Sequence, residues 1–571
     1  MPKSEPWIAW VQGKGSILGL LLPCLTFVPF LPSHGALPSN DYYGVLEQVA
    51  VLPTDGTLPH YTTDLWRWLD LRSNEHHVAL PVLLWAGNHS LTGGDNRVLS
   101  ILGIVCQLVV ARLLFLLVPA AARARPWAAF VTQFALAALL VTPAVAHNVV
   151  LGFSGSFWLL ANALAVGALC AQQRALARGS FPWLALGLCL LGAWTYSTTL
   201  ALWPILVALA LTYRDRGRDL VPLAACGGLV LAVHGFGYQR PGIHPAPTQS
   251  VLDVAQYALS YLGGPLAVHD AMAAAAGWVG CALLAVGTLV VLGAPAPAPA
   301  ASALGAWLGL AALAAINALG TAIARAGFGP GQALAPRYAC VALLFWAAVL
   351  AVSGLAAWRS RPGSGPWRAL HAGFATVVLL LVWLRGAAVY EGYLQRASLQ
   401  PLAAQALRLG VDDDEALGTL TPVPEQLRRV VPFLRATGHV PFRGGTSSRI
   451  GEVLGAEVLG AAPPPGLQGA LLSLRPLDSG WLRADGWVRW PGHRIDALVV
   501  ADEAGSILGE LVPSLCRPEL AEVLGPEYLD AACSGYLRPP ATPENLRVYA
   551  RRAGQGQWWP VADATSASGR R

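Results

Sequence analysis

Three groups of side chains in this 571-residue chain have types and spacings suited to chemistry at an interface. The first is Asp41, in Ser39-Asn40-Asp41-Tyr42-Tyr43-Gly44, a few residues beyond a long apolar run. A carboxylate there can take the proton of a hydroxyl whose partner is anchored in lipid, although the same position also suits a helix N-cap or a solvated loop acid. The second is Asn74-Glu75-His76-His77, which offers a second acid with two imidazoles. That set can serve as acid, base or hydroxyl ligand, and it leaves a divalent cation open as a cofactor. The third is the pair Arg325 and Arg337, which bracket a short loop, with Tyr338 beside the second. Guanidinium forks match phosphate oxygens, and long basic side chains also snorkel to headgroups. Arg240 and His244 are weaker candidates of the same kind, and His147-Asn148 can hydrogen-bond a substrate or cap a helix.

The elements that must hold these groups are set by composition. Hydrophobic residues make up 55% of the chain and charged residues only 12%. A soluble protein carries about twice that charge, so lipid must be the solvent for most of the chain. Apolar runs cover 16–32, 98–118, 128–146, 156–172, 183–212, 220–236, 271–292, 303–323, 338–357 and 370–386. The 183–212 run is too long for one span and is broken by Thr195-Tyr196-Ser197-Thr198-Thr199, giving two short spans and about eleven in all.

Charge orients them. With the N-terminus inside, the loops 119–127, 173–180, 213–219 and 358–369 put Arg123, Arg125, Arg174, Arg178, Arg214, Arg216, Arg218, Arg359, Arg361 and Arg368 in the cytoplasm, as the positive-inside bias requires. The net charge of +6 thus reflects topology and gives no nucleic-acid face. Outside fall the loops 33–97 and 237–270 and everything after about 387. Charges are scarce in the middles of the spans, and Arg112 lies near enough to an end to snorkel, which counts against ion-coupled transport.

The expected fold is therefore an all-α polytopic domain over 1–390 that includes the outer loop 33–97. A helical connector follows over 391–440. Over 441–571 the hydrophobic period shifts toward two in runs such as Gly486-Trp487-Val488-Arg489-Trp490, which predicts a small β-sandwich. Seven cysteines fall in apolar runs as small hydrophobes; Cys516 and Cys533 lie in the tail, where a bridge is left open. Walker, dinucleotide, paired-CxxC and nucleophile-elbow motifs are all missing.

Together, Asp41-Tyr42-Tyr43, Asn74-Glu75-His76, Asn148 through Gly152-Phe153, and Arg325-Ala326-Gly327-Phe328-Gly329 through Ala335-Pro336-Arg337-Tyr338 resemble bacterial GT-C type membrane glycosyltransferases, over roughly residues 15–440. The tail similarly resembles β-domains attached to bacterial glycosyltransferases. The resemblance implies an enzyme of the bacterial cytoplasmic membrane whose C-terminal domain is periplasmic. Its donor would be a polyprenyl-phosphate-linked sugar and its acceptor a glycan or a lipid-linked molecule, with membrane lipid around it. It further implies Asp41 as catalytic base, Glu75 as a second catalytic acid, and Arg325, Arg337 and Tyr338 at the donor phosphate. Tyr42, Tyr43, His76, His147, Asn148 and Arg240 would contact substrate. His77 stands where related sequences carry arginine, so the resemblance supplies no phosphate ligand there. The alternative reading is a transporter or flippase for lipid-linked glycans, which predicts internal symmetry and polar mid-span residues.

Orientation is open to a direct test. A single cysteine placed at Arg216 should resist an impermeant maleimide added from outside, while one placed at Asp502 in the tail should react; the reverse pattern would invert the topology.

Overall fold

The computed structural model describes residues 15–33, 35–51, 68, 70–73, 76–212, 217–236, 238, 246, 250–293, 298–359, 365–443, 448–459, 462–515, 517–539 and 546–561. Two compact units emerge. The first comprises Met1–Pro32, Thr62–Asn88 and Asn96–Tyr393; the second comprises Ser33–Tyr61, His89–Asp95 and Leu394–Arg571.

In the first unit the apolar runs are helices because hydrocarbon leaves the backbone no partner but itself. Seven helices among the described residues are long and apolar enough to cross a membrane: Asn96–Leu117, Pro126–Val150, Gly152–Arg178, Asp270–Gly293, Ala303–Phe328, Pro336–Trp358 and one beginning at Gly365. This is the make-up of a multi-pass membrane protein. The remaining runs form shorter apolar helices, Gly15–Phe27, Trp183–Ala193, Ser197–Leu211 and Asp219–Gly235. The last long helix does not stop at 386 but continues to Ser398, because nothing in its sequence breaks it before Pro401.

Neutral amides and indoles tie these helices together. Gln107 Nε2 donates to Leu140 O at 3.1 Å, and Gln133 Nε2 on the partner helix donates back to Ala111 O at 3.2 Å. Asn162 Nδ2 reaches Cys340 O at 3.2 Å, and Trp383 Nε1 reaches Ala138 O at 2.8 Å. Ala111 O and Cys340 O lie within helices and lend a second lone pair, while Leu140 O and Ala138 O lie in the last turn of Pro126–Leu140, where a carbonyl has no intrahelical partner. Small residues also bring backbones together. A β-carbon on Gly263 would lie 1.9 Å from Ala273 O, and one on Gly277 would lie 2.2 Å from Leu259 O, so the helices Val251–Gly263 and Asp270–Gly293 meet at van der Waals range only as glycines. A two-residue hairpin ladder, β1 (Arg72–Ser73) against β2 (His76–His77), lies outside the apolar helices.

The second unit carries a seven-stranded antiparallel sheet: β3 (Gln468–Pro476), β4 (Leu482–Arg489), β5 (Ile495–Ala501), β6 (Ile507–Leu515), β7 (Ala532–Leu537), β8 (Arg547–Arg552) and β9 (Trp558–Pro560). Their order is β3-β4-β7-β6-β5-β8-β9. The expected two-sheet sandwich is thus one sheet. Alternation put apolar side chains on the strands correctly, but their covering comes from other segments. One face buries Leu471, Ala484, Val488, Leu498, Val500, Leu511, Leu537 and Val548. On the other, Val499, Ala501, Ile507 and Tyr549 pack with Leu454 and Val458 from the segment before the sheet.

That second face also holds a buried ion pair. Arg483 on β4 and Asp413, which caps the helix Asp414–Leu417, are 3% and 2% exposed and 3.2 Å apart. Tyr536 Oη on β7 donates to Asp413 Oδ2 at 2.8 Å, while Glu415 approaches Arg483 at 3.1 Å. Burial opposes the Arg483 charge, but Asp485, Asp413 and Glu415 more than offset this and hold its pKa above the ordinary value. The helical connector and the sheet are therefore cross-linked by charge within one unit. Cys533 is a buried free thiol raised to about 12 by burial, whereas Cys516 lies outside the described residues.

Asp413→Ala should cost the second unit about 3–5 kcal/mol, because it removes the buried acid paired with Arg483, the acceptor of Tyr536 Oη and a helix cap at once. Asp412→Ala, at an exposed pair with Arg428, should cost about 0–1 kcal/mol. Pulse proteolysis of the full chain in urea reads both, and equal midpoints would show that the buried pair is not the anchor.

Candidate functional site

A cavity of about 330 Å³ opens in the first unit where several apolar helices end together. The last turns of the helix ending at Arg325 supply Ile316, Asn317, Thr321 and Arg325 to its wall. The break between Trp183–Ala193 and Leu202–Leu211 supplies Tyr196, Ser197 and Thr198, and Trp158 comes from the start of Gly152–Arg178. His76 of β2 and Tyr338 complete the part that carries chemistry.

Local physics explains the break. Thr195 Oγ1 donates to Leu191 O at 2.8 Å and Thr199 Oγ1 to Tyr196 O at 2.9 Å. Hydroxyls thus bond carbonyls at the turn, and a 3-10 turn replaces continued helix. Asn317 Nδ2 closes the gap from the facing helix by donating to Thr198 O at 2.9 Å.

The loop after Arg325 is three successive 3-10 turns, Ala326–Phe328, Pro330–Leu334 and Pro336–Tyr338. Gly329, at φ 89°, makes the reversal between the first two. The turns seat Tyr338 in a ring of contacts. Arg325 Nη1 donates to Tyr338 Oη at 3.2 Å, and Gln332 Nε2 does so at the same distance. Tyr257 Oη donates in turn to Gln332 Oε1. Tyr261 stacks on Tyr338 at 4.8 Å, and Arg337 lies over its ring at 5.1 Å.

In the same lining His76 Nδ1 hydrogen-bonds Ser197 Oγ at 2.5 Å, and its ring lies 4.1 Å from that of Tyr196. Thr198 Oγ1 is buried without a hydrogen-bond partner among the described residues. The described lining thus combines one permanent cation, several hydroxyls and aromatic walls, and contains no carboxylate. Such a wall suits an anionic group with hydroxyls beside it.

Of the residues singled out from sequence, the cavity gathers His76, Arg325 and Tyr338, with Arg337 stacked behind Tyr338. His147 sits elsewhere in this unit, its Nδ1 hydrogen-bonded to Tyr393 Oη, and Asn148 is buried with neither amide atom partnered among the described residues. Asp41 belongs to the second unit, half-buried as the first residue of the helix Asp41–Leu46. Tyr42 and Tyr43 are buried in that unit, with Tyr43 Oη donating to Pro38 O at 2.9 Å, and burial raises the Tyr43 pKa. Glu75, Arg240 and His244 lie outside the described residues. Among the described residues no three His, Cys, Asp or Glu side chains come together to hold a metal ion.

Sequence reading missed Ser197, Thr198, Tyr196 and Asn317 as site residues. A signal existed: the hydroxyl run was legible as a helix break, and Asn317 is a lone amide in an apolar helix. Comparison of the chain with protein families, curated proteins and solved structures returns no match.

Next to His76, His77 is buried, 3.7 Å from Asp70 and with the His234 ring at 4.6 Å. Burial first, then His234 and Arg72, lower its pKa to about 4, against the pull of Asp70. The fold favours the neutral ring, so its contribution to stability is complete above the ordinary value of ~6.5 and is lost as pH falls from there toward about 4. The melting temperature should fall between pH 7 and pH 4, and His77→Gln should flatten that slope; an unchanged slope in the variant would discount His77.

Proposed function

We propose that this chain is an inverting membrane glycosyltransferase that moves a sugar from a polyprenyl-phosphate donor to a glycan or lipid-linked acceptor. The observation that carries the reading is the cavity at the ends of apolar helices, with Arg325 as the permanent charge among its described lining residues. A donor of this class has an isoprenoid tail, an anionic phosphate and a hydroxylated ring. Apolar helix surface, a guanidinium, and hydroxyls with aromatic walls answer those parts in turn. In the transfer the acceptor oxygen bonds to the anomeric carbon as the bond from that carbon to the phosphate oxygen breaks. The acceptor's proton passes to a base, and Arg325 offsets charge developing on the leaving phosphate.

Asp41 and Glu75 are the two candidates for that base. In the full reading the chain makes about eleven passes, the four shorter apolar helices completing the count. The N-terminus is cytoplasmic, the membrane is the bacterial cytoplasmic one, and the C-terminal domain is periplasmic.

The test is transfer of a radiolabelled sugar from a polyprenyl-phosphate donor by purified protein in liposomes. Arg325→Ala should raise the donor KM and lower kcat, together by about 10²–10³-fold, the scale for losing one preorganised charge partner. Asp41→Asn should abolish transfer while donor binding persists. Unchanged turnover in Asp41→Asn would move the role to Glu75, and donor translocation without bond formation would replace the enzyme by the flippase reading.

A further inference from the structure

A second cavity, of about 350 Å³, lies within the second unit between strands β4 and β7 and the helix Pro518–Leu524. Its polar end is Asp485 with Arg517, whose Nη2 donates to Asp485 Oδ1 at 3.2 Å. Ser534 Oγ donates to the same oxygen at 2.7 Å, and Arg483 stands behind it at 3.5 Å. The carboxylate is thus fixed from below by the buried network that joins sheet and connector. Its other oxygen, Oδ2, has only the long 3.4 Å contact from Ser473 Oγ among the described residues. The apolar end is Trp487, braced edge-on by Tyr528 at 5.3 Å, with Leu520 and Val523 across from it. Val523 is 81% exposed.

We propose that this cavity binds a neutral sugar, one or two rings in size. Charge decides the class. Asp485 is paired one to one with Arg517, while Arg483 behind it is shared with Asp413 and Glu415, so a cation meets a paired carboxylate and an anion a paired guanidinium. An acyl chain would bury the ion pair with no partner for it, at a cost of several kcal/mol per ion. Neighbouring sugar hydroxyls fit instead: one accepts from the remaining N–H groups of Arg517, and the next donates to Asp485 Oδ2. The C–H face of the ring then lies against Trp487, Leu520 and Val523. The volume is near the lower end of small-molecule sites, ~300–1,000 Å³, which limits the occupant to that size. Glu519 at the rim is exposed and adds a further acceptor without changing the class. This site belongs to the second unit and does not rest on the transfer reading.

The full chain in lipid nanodiscs is titrated with methyl glycosides of glucose, galactose, mannose and arabinose, followed by saturation-transfer difference NMR. At least one glycoside should saturate with a Kd of ~1–10 mM, weak as befits a small neutral ligand. Trp487→Ala and Arg517→Gln should each weaken it about tenfold or more, while Trp481→Ala, outside the cavity, should not. Thermal melting of each variant reports folding. Should Arg517→Gln unfold the unit, Leu520→Glu on the covering helix replaces it with the same expectation. The proposal is overturned by no saturable binding of any glycoside, or by binding that Trp487→Ala leaves unchanged. It is equally overturned if inorganic phosphate binds the cavity in competition with the glycosides and is lost in Arg517→Gln, which would make it an anion site. Sugar binding that persists in an Asp41→Asn chain inactive for transfer would support this site and separate it from the catalytic one.

Discussion

Hydrocarbon offers no hydrogen bonds, and the first unit is organised by that single deprivation. Every backbone N–H and C=O in a membrane span must be satisfied inside its own helix or by a neighbour. Long uninterrupted helices follow directly, and so does the manner in which they are joined. Gln107 and Gln133 exchange amide bonds across one helix pair, and Asn162 and Trp383 reach carbonyls across others, because a side-chain donor in lipid has few alternatives. The same constraint makes any departure from helix conspicuous. Between Ala193 and Leu202 the chain departs from regular helix; Thr195 meets the carbonyl of Leu191 just before the break, and Thr199 and Asn317 meet those of Tyr196 and Thr198 within it. Irregular backbone at the end of a span is tolerated where it lines a cavity, and it is there that the candidate site lies.

In the second unit water is available and charge does what amides do in the first. Arg483, Asp413, Glu415, Tyr536, Asp485 and Ser534 form one connected group, partly buried, linking the connector helices to β4 and β7. A buried pair of this kind is weak evidence for net stability, since desolvation offsets its attraction. What it supplies is registry. Arg483 faces Tyr536, and Asp485 faces Ser534, across the β4–β7 ladder, so a one-residue slip of β4 would carry Arg483 and Asp485 to the opposite face, away from their partners. The same fixed carboxylate then serves as the floor of the second cavity.

Much of the architecture was legible in the amino-acid sequence. Composition and run length determined that lipid is the solvent and that the apolar runs are helices, because burial of that much hydrocarbon has no soluble solution. The break at Thr195–Thr199 was readable because a hydroxyl run in an apolar segment competes with the helix for backbone bonds. Period-two alternation after about 467 determined strands. Arg325 and Arg337 were identified as candidates since guanidinium forks match phosphate oxygens, and Tyr338 because it stands beside the second.

Tertiary structure decided what covers what. Alternation says which side chains leave the water but not what meets them, so the predicted sandwich is one sheet covered on its second face by helices and an irregular segment. Spacing along the chain could not bring His76, Ser197, Asn317 and Arg325 to one wall, since contacts separated by more than a hundred residues depend on which helices neighbour each other. Nor could it reveal that Tyr42 and Tyr43, which read as substrate contacts, are rings buried in the second unit. A residue's type is local information, whereas its burial and its neighbours are properties of packing, and in this chain packing chose the site.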